Sequence, residues 1–260
     1  MLQHEVAFQT DIGHTHHVNQ DAGGAWTWAR DDGTPVSLAV VADGVSSGRT
    51  SERASRMVVD ILAERVEASL TRPELTLDEL REVLIDAATA AGHAVAARPH
   101  ESLRTADATT LAAVACIADR GTGVWCGDSR VYLLGNEARA LTSDHSWAEG
   151  VVRSGLMSTE EAARDPRARM ITRWLGPPEL RDAGIEQFGF RLVPGDVALA
   201  CSDGLYLHFE PPRGRPDELG DLVRAASSLQ DALNTMITLG LRRGGNDNIT
   251  AAAIACLARD

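Results

Sequence analysis

Residues 36–44 read Val-Ser-Leu-Ala-Val-Val-Ala-Asp-Gly, a short apolar run that stops at a carboxylate followed by glycine. A run of this length, closed by turn residues, reads as a β-strand that leaves its sheet at Asp43. Two other apolar runs end in the same way, Trp125-Cys126-Gly127-Asp128-Ser129 and Ala200-Cys201-Ser202-Asp203-Gly204. Gly245-Asn246-Asp247-Asn248 mirrors them, standing just before the apolar run 249–257, and Asn19-Gln20-Asp21 precedes a weaker strand pattern at 24–29. Further strands are expected at 109–118, 122–126, 130–134 and 196–202, with fainter patterns at 4–10 and 185–192.

Between these strands lie two helix pairs. Ala54, Met57, Val58, Ile61, Leu62 and Val66 form one helical stripe. A second runs from Leu77 to Val95, opens with a Thr76/Glu79 capping box and stops before Pro99. A further pair is expected at 216–226 and 229–241. The order is strands, two helices, many strands, two helices, a strand, which is not the alternation of a doubly wound sheet. It predicts an α+β fold of antiparallel sheets with helices packed outside. Residues 143–178, rich in Gly, Pro and Arg, with a short helix capped by Ser158 and Glu161, read as a surface excursion able to cover a site.

The 260 residues suit one domain with a large core. Their formal charge of −12 argues against a nucleic-acid or anionic-membrane partner. The four cysteines lie in apolar stretches without a C-x-x-C pair and read as buried, reduced thiols of a cytoplasmic protein. No secretion signal and no apolar run of bilayer length is found.

A single Asp at a strand end is an ordinary turn residue. Five are a different matter, because antiparallel strands can bring opposite ends together, and unpaired anions gathered there repel. Such a cluster requires cations. Oxygen ligands with no Cys and no spaced His pair nearby suit Mg²⁺ or Mn²⁺ rather than Zn²⁺. The glycines after Asp43 and Asp203 would let backbone approach a metal closely.

The chain resembles the metal-dependent Ser/Thr protein phosphatases of type 2C, in particular their single-domain bacterial members. Eight motifs carry the resemblance in family order. They begin with Thr10-Asp11-Ile12-Gly13 with Asn19-Gln20-Asp21, Val41-Ala42-Asp43-Gly44, Thr109-Thr110-Leu111 and Cys126-Gly127-Asp128-Ser129-Arg130. Leu141-Thr142-Ser143-Asp144-His145-Ser146, Ile171-Thr172-Arg173 with Leu175-Gly176, Cys201-Ser202-Asp203-Gly204-Leu205 and Asn246-Asp247-Asn248-Ile249-Thr250 complete them. The resemblance implies a four-layer α-β-β-α sandwich, two antiparallel sheets flanked by helix pairs, in one domain over 1–260 with a flap at 143–178. It implies a site for two Mn²⁺ or Mg²⁺ ions in which Asp43 bridges, Asp203 and Asp247 complete one ion, the Gly44 carbonyl helps hold the other, and Asp21 binds directly or through water. Asp128 with Asp203 matches the position of a third, weaker ion. The implied reaction is hydrolysis of phosphoserine or phosphothreonine by a metal-activated water, on protein substrates of a Ser/Thr kinase and with no phosphoenzyme. A monomer is the default expectation.

Two departures bear on that expectation. Where the family has an Arg that grips phosphate, this chain has His16, at an expected cost of about 1.5–3 kcal/mol of phosphate binding. His16, or its neighbours His14 and His17, can substitute weakly; the bland alternative is that the three form an exposed polar turn with no ligand, and a separate metal site built from them is the remote one. After Asp43-Gly44 the chain reads Val45-Ser46-Ser47-Gly48 and lacks the family's nearby His, a general acid to the leaving oxygen. Asp144 and His145 are explained by a capped turn, outside the metal site. Ser146, Ser154, Arg153, Arg167, Arg169 and Arg173 offer polar surface for substrate, while Trp147, Met170 and Trp174 are expected to pack the excursion down. The alternatives to catalysis on phosphoproteins are a phosphoprotein-binding module that has lost activity and a phosphatase of small phosphoesters. Loss of the general acid predicts a rate deficit of about 10²- to 10⁴-fold on alkyl phosphoserine. The deficit on aryl phosphates should be smaller, and a comparison of kcat across leaving groups checks this.

Overall fold

The computed structural model describes residues 2–45, 50–72, 74–99, 106–176, 184–211 and 213–258. The first half runs β1 (Leu2–Asp11), β2 (Asp21–Ala29), β3 (Pro35–Asp43), α1 (Ser51–Ser69), α2 (Leu77–Ala96), β4 (Leu111–Ile117) and β5 (Arg120–Cys126). There follow β6 (Arg130–Leu134), β7 (Ala138–Ala140), α3 (Trp147–Arg153), α4 (Thr159–Arg164), β8 (Glu186–Arg191) and β9 (Val197–Cys201). The chain closes with α5 (Asp203–Tyr206), α6 (Asp217–Ala225), α7 (Leu229–Arg242) and β10 (Ile249–Ala258). The strands form two five-stranded sheets, β1-β10-β9-β6-β7 and β2-β3-β4-β5-β8, and neighbours within each are antiparallel.

Strand periodicity sorts the core into layers. Leu38, Val40, Leu111 and Ala113 face α1 and α2, burying Leu62 and Leu84. Their neighbours Ala39, Val41, Ala112 and Val114 face the other sheet and meet Ala200, Ala252 and Ile254. The outer residues of that sheet, such as Leu199, Cys201 and Ala253, pack under Leu233 and Met236 of α7. The result is the expected α-β-β-α sandwich. The strands at the centre are buried on both faces, which is why 36–42 is apolar without strict alternation.

The caps read from sequence are present: Thr76 and Glu79 form a capping box on α2, as do Ser158 and Glu161 on α4. Four elements differ from expectation. β2 begins at Asp21 rather than 24, because Gly23 and Gly24 supply no apolar side chains; the Phe8 ring of β1 occupies the space where a Gly23 side chain would stand. β7 and α5 are too short to show a period, and α3 lies within the excursion. The four cysteines are buried, and no helix among the described residues is long and apolar enough to cross a membrane.

One buried carboxylate locks the helix pair to the sheet. Asp107 accepts from the backbone N–H and hydroxyl of Thr50, at 2.9 and 2.7 Å, and from Arg98 Nε at 2.8 Å. Burial pushes its pKa up, but the Arg98 and Thr50 hydrogen bonds outweigh this and leave it below the ordinary value. The unfolded chain therefore binds this proton more readily, so the stabilisation is complete above the unfolded pKa and fades as pH falls through the folded one. Asp107→Asn should cost about 1.5–3 kcal/mol at neutral pH. Urea melts should show its difference from the parent chain shrinking below about pH 4.

Candidate active site

Antiparallel pairing decides where the five carboxylates fall. Asp21, first in β2, sits directly opposite Asp43, last in β3. Asp128 follows the end of β5, Asp203 follows the end of β9, and Asp247 precedes the start of β10. In both sheets these strand ends lie at one edge of the sandwich, and hydrogen bonds stitch the sheets together there. Ser202 Oγ donates to Asp21 Oδ2 at 2.8 Å, and the Thr250 N–H donates to the same Ser202 oxygen at 3.1 Å. Asn248 accepts from the Gln20 N–H at 2.8 Å and donates to the Ile12 carbonyl at 2.8 Å. Thr110 Oγ1 accepts from the Asp43 N–H at 3.0 Å and lies 2.7 Å from Ser129 Oγ. Gly44 donates to the Gln20 carbonyl at 3.1 Å and bridges to Thr109.

Burial and mutual repulsion raise the carboxyl pKa values. Asp21 rises to about 6, chiefly by burial, with the charge of Asp247 adding to the shift. Asp43 lies well above its ordinary range through burial and then the charges of Asp21, Asp203, Asp128 and Asp247. Asp128 and Asp203 each rise to about 7: burial leads in both, followed by Asp203 for the former and by Asp247 and Asp21 for the latter. The five acids therefore feel one another as a single cluster. Arg130 and Arg169 counter it only in part. Among the described residues no three His, Cys, Asp or Glu side chains are spaced as a finished ligand cage.

The histidines divide. The His16 ring stands 3.2 Å from Asp247 Oδ1, at the rim of the cluster. His14 instead anchors its loop: its N–H donates to the Gly245 carbonyl at 2.7 Å and its ring lies 3.2 Å from the Leu241 carbonyl. His17 is exposed. Gly13 adopts φ +75°, and a Cβ there would collide with the Asp247 carbonyl, so glycine lets this loop lie against the turn that carries Asp247. Ser46, Ser47 and Gly48 lie outside the described residues.

The excursion leaves and rejoins the sandwich beside the site. Its His145 N–H donates to the Gly127 carbonyl, and Leu175 pairs with Thr109. Ser146 caps α3 and Ser154 ends it. Arg167 lies 4.0 Å over the Trp147 ring, whereas Met170 is exposed and does not help pack the excursion. Asp144 accepts both Nε and Nη2 of Arg130, at 2.7 and 2.9 Å. Arg130 also pairs with Glu210 and stacks 3.8 Å from the Tyr206 ring centroid, which ties α5 to β6. Sequence reading had no role for Ser202, Asn248 or Thr110. They sit inside the motifs, but their bonds cross between strands far apart in the chain.

With this geometry the comparisons agree. The sequence pattern of the family described as protein phosphatase 2C matches residues 11–238. The serine/threonine phosphatase stp of Listeria welshimeri is 30% identical over 249 residues, spanning 95% of this chain and 94% of that one. The serine/threonine phosphatase of S. agalactiae superposes with a TM-score of 0.80 at 26% identity, covering 97% of this chain and 99% of the other. The catalytic domain of PstP, solved in complex with 2 manganese ions, does so with a TM-score of 0.76 at 26% identity, over 99% and 100% of the two chains. This chain is therefore a member of the protein phosphatase 2C family.

Proposed function

We propose that the chain hydrolyses phosphoserine and phosphothreonine in proteins, using a pair of Mn²⁺ or Mg²⁺ ions held by the acidic cluster. The observation that carries this reading is the cluster itself: five carboxylates gathered at one edge of the sandwich, where burial and neighbouring charges raise the pKa of Asp21, Asp43, Asp128 and Asp203. An all-oxygen donor set of this charge fits hard divalent cations, which would replace the protons the carboxyls otherwise retain. The manganese-bound PstP domain, similar over the whole chain, supports the same choice. Asp43, Asp203, Asp247, Asp21 and the Gly44 carbonyl would hold the two ions, and Asp128 with Asp203 a third. Ions bound there supply Lewis acidity toward phosphoryl oxygens and make water acidic enough to be a nucleophile at neutral pH.

The chain's own residues then bind and orient. Ser202 and Thr110 fix the positions of Asp21 and Asp43, so that little reorganisation accompanies the reaction. His16, at the rim beside Asp247, is placed to donate to a substrate phosphate oxygen. A cleft beside Asp21, lined by Asn19, Arg53, Arg56 and Met57, offers room for the polypeptide around the phosphorylated residue. Residues 1–260 are read as one phosphatase domain, with 143–178 as its flap; the Arg169 charge acting on Asp203 supports that placement. The cognate partners are phosphoproteins made by a Ser/Thr kinase.

Turnover of p-nitrophenyl phosphate and of a phosphothreonine peptide should require Mn²⁺ or Mg²⁺, stop with chelator, and fall by at least about 10³-fold in Asp203→Asn. Metal binding without turnover of either substrate would overturn the catalytic reading in favour of a binding module. Turnover of the small phosphoester alone would move the substrate to that class. Replacing the weak contact at the rim, His16→Arg should lower the KM for the phosphopeptide about tenfold, matching roughly 1.5 kcal/mol for a charge-assisted pair. An unchanged KM removes His16 from the phosphate site.

A further inference from the structure

The Asp144-His145 dipeptide grips the chain on both sides of Asp128. Asp144 takes the Arg130 guanidinium through two hydrogen bonds, as described above. His145 takes Gly127 twice: its backbone N–H donates to the Gly127 carbonyl at 2.9 Å, and its ring Nδ1 lies 3.0 Å from the Gly127 N–H. Glycine is the residue freest to move here, and these bonds fix it. Its φ of +105° is rarely adopted by other residues, and a Cβ there would come within 2.7 Å of Thr110 Cγ2. Ser129, on the other side, is tied to Thr110. The backbone around Asp128 is thus fixed at residues 127, 129 and 130, while the Asp128 side chain makes no hydrogen bond to another residue among the described ones.

The ring of His145 is locked in one tautomer. A backbone N–H can only donate, so Nδ1 must be the bare acceptor nitrogen and the proton must sit on Nε2. Nε2 lies 3.1 Å from Glu186 Oε1, an acceptor that matches. Arg173 Nη1 donates to the same oxygen at 2.8 Å, so two donors from the two ends of the excursion converge on one carboxylate of β8. The Trp125 ring stacks on His145 at 5.7 Å and 18°, which leaves the ring buried and fixed in plane. Burial, and then the Arg173 charge, hold its pKa below that of free histidine, in keeping with a neutral ring.

We propose that His145 is a positioning residue for Asp128: as the Nε2–H tautomer, seated on Glu186, it holds Gly127 in its positive-φ conformation and so aims the Asp128 carboxylate into the acidic cluster. This rests on the reading of Asp128 as a ligand of the third, weaker divalent ion. The chain Glu186 to His145 to Gly127 then acts as an outer support of that site, of the kind that sets ligand direction in metal centres.

Two nearly isosteric variants separate positioning from mere filling of space. In His145→Asn the side-chain oxygen can stand where Nδ1 stood and accept from Gly127; in His145→Gln the amide reaches toward Glu186 and leaves the Gly127 N–H unmet. Calorimetric titration of the full chain with Mn²⁺ should show a weaker step that Asp128→Asn abolishes. His145→Asn should keep that step near its parent affinity, and His145→Gln should weaken it about 10- to 100-fold. Equal affinities in the two variants, or the reverse order, overturn the proposal while leaving Asp128 as a ligand. A parent-like titration in Asp128→Asn overturns the reading of Asp128, and the proposal with it. Independently of either variant's folding, long-range ¹H–¹⁵N spectra of the metal-free parent chain should show His145 bare at Nδ1; a proton there overturns the proposal directly.

Discussion

Repulsion among carboxylates that the fold forces together is the constraint around which this molecule is built. Two like charges about 4 Å apart at an effective dielectric of about 20 repel by about 4 kcal/mol, a large fraction of a domain's net stability. The chain meets this in three ways. Burial raises the pKa of Asp21 and Asp43, so that these carboxyls keep protons to higher pH, polar side chains brace the backbone that carries them, and the open edge leaves access for cations. The cluster is tolerable because the core beneath it is extensive: three apolar layers, each continuous from strand to helix or sheet to sheet, supply the stabilisation that the edge consumes.

The two sheets have unequal parts in this edge. β2, β3 and β5 contribute Asp21, Asp43 and Asp128, whereas β9 and β10 contribute Asp203 and Asp247. Neither sheet alone gathers the set, so the packing between sheets matters as much as the pairing within them. Ser202 and Asn248 cross the gap, and each bonds to a residue more than 180 positions away in sequence. Their burial at the seam means that any sliding of one sheet over the other would strand polar groups without partners.

The excursion between β7 and β8 is joined to the site by polar latches rather than by a core of its own. Asp144, His145 and Arg173 hold its ends, and the cation over Trp147 folds its middle. α3 contributes no buried residue, and α4 only Ala162.

Local chemistry made much of this protein legible from its sequence. The apolar runs, the helical stripes and the capping boxes at Thr76 and Ser158 announce their elements because each depends on residues a few positions apart. The five acidic positions are visible too, since an Asp closing an apolar strand stands out against strand preferences. Pairing and register were not visible. That Asp21 opens β2 opposite Asp43 is hidden by Gly23 and Gly24, whose side-chain space is filled by Phe8 of another strand and by Trp26 of β2 itself. The work of Ser202, Asn248, Thr110 and His145 was also decided only in three dimensions, because their partners lie 18 to 228 residues away. Sequence periodicity fixes which face a side chain takes; only the packed sandwich fixes what stands on the other side of it.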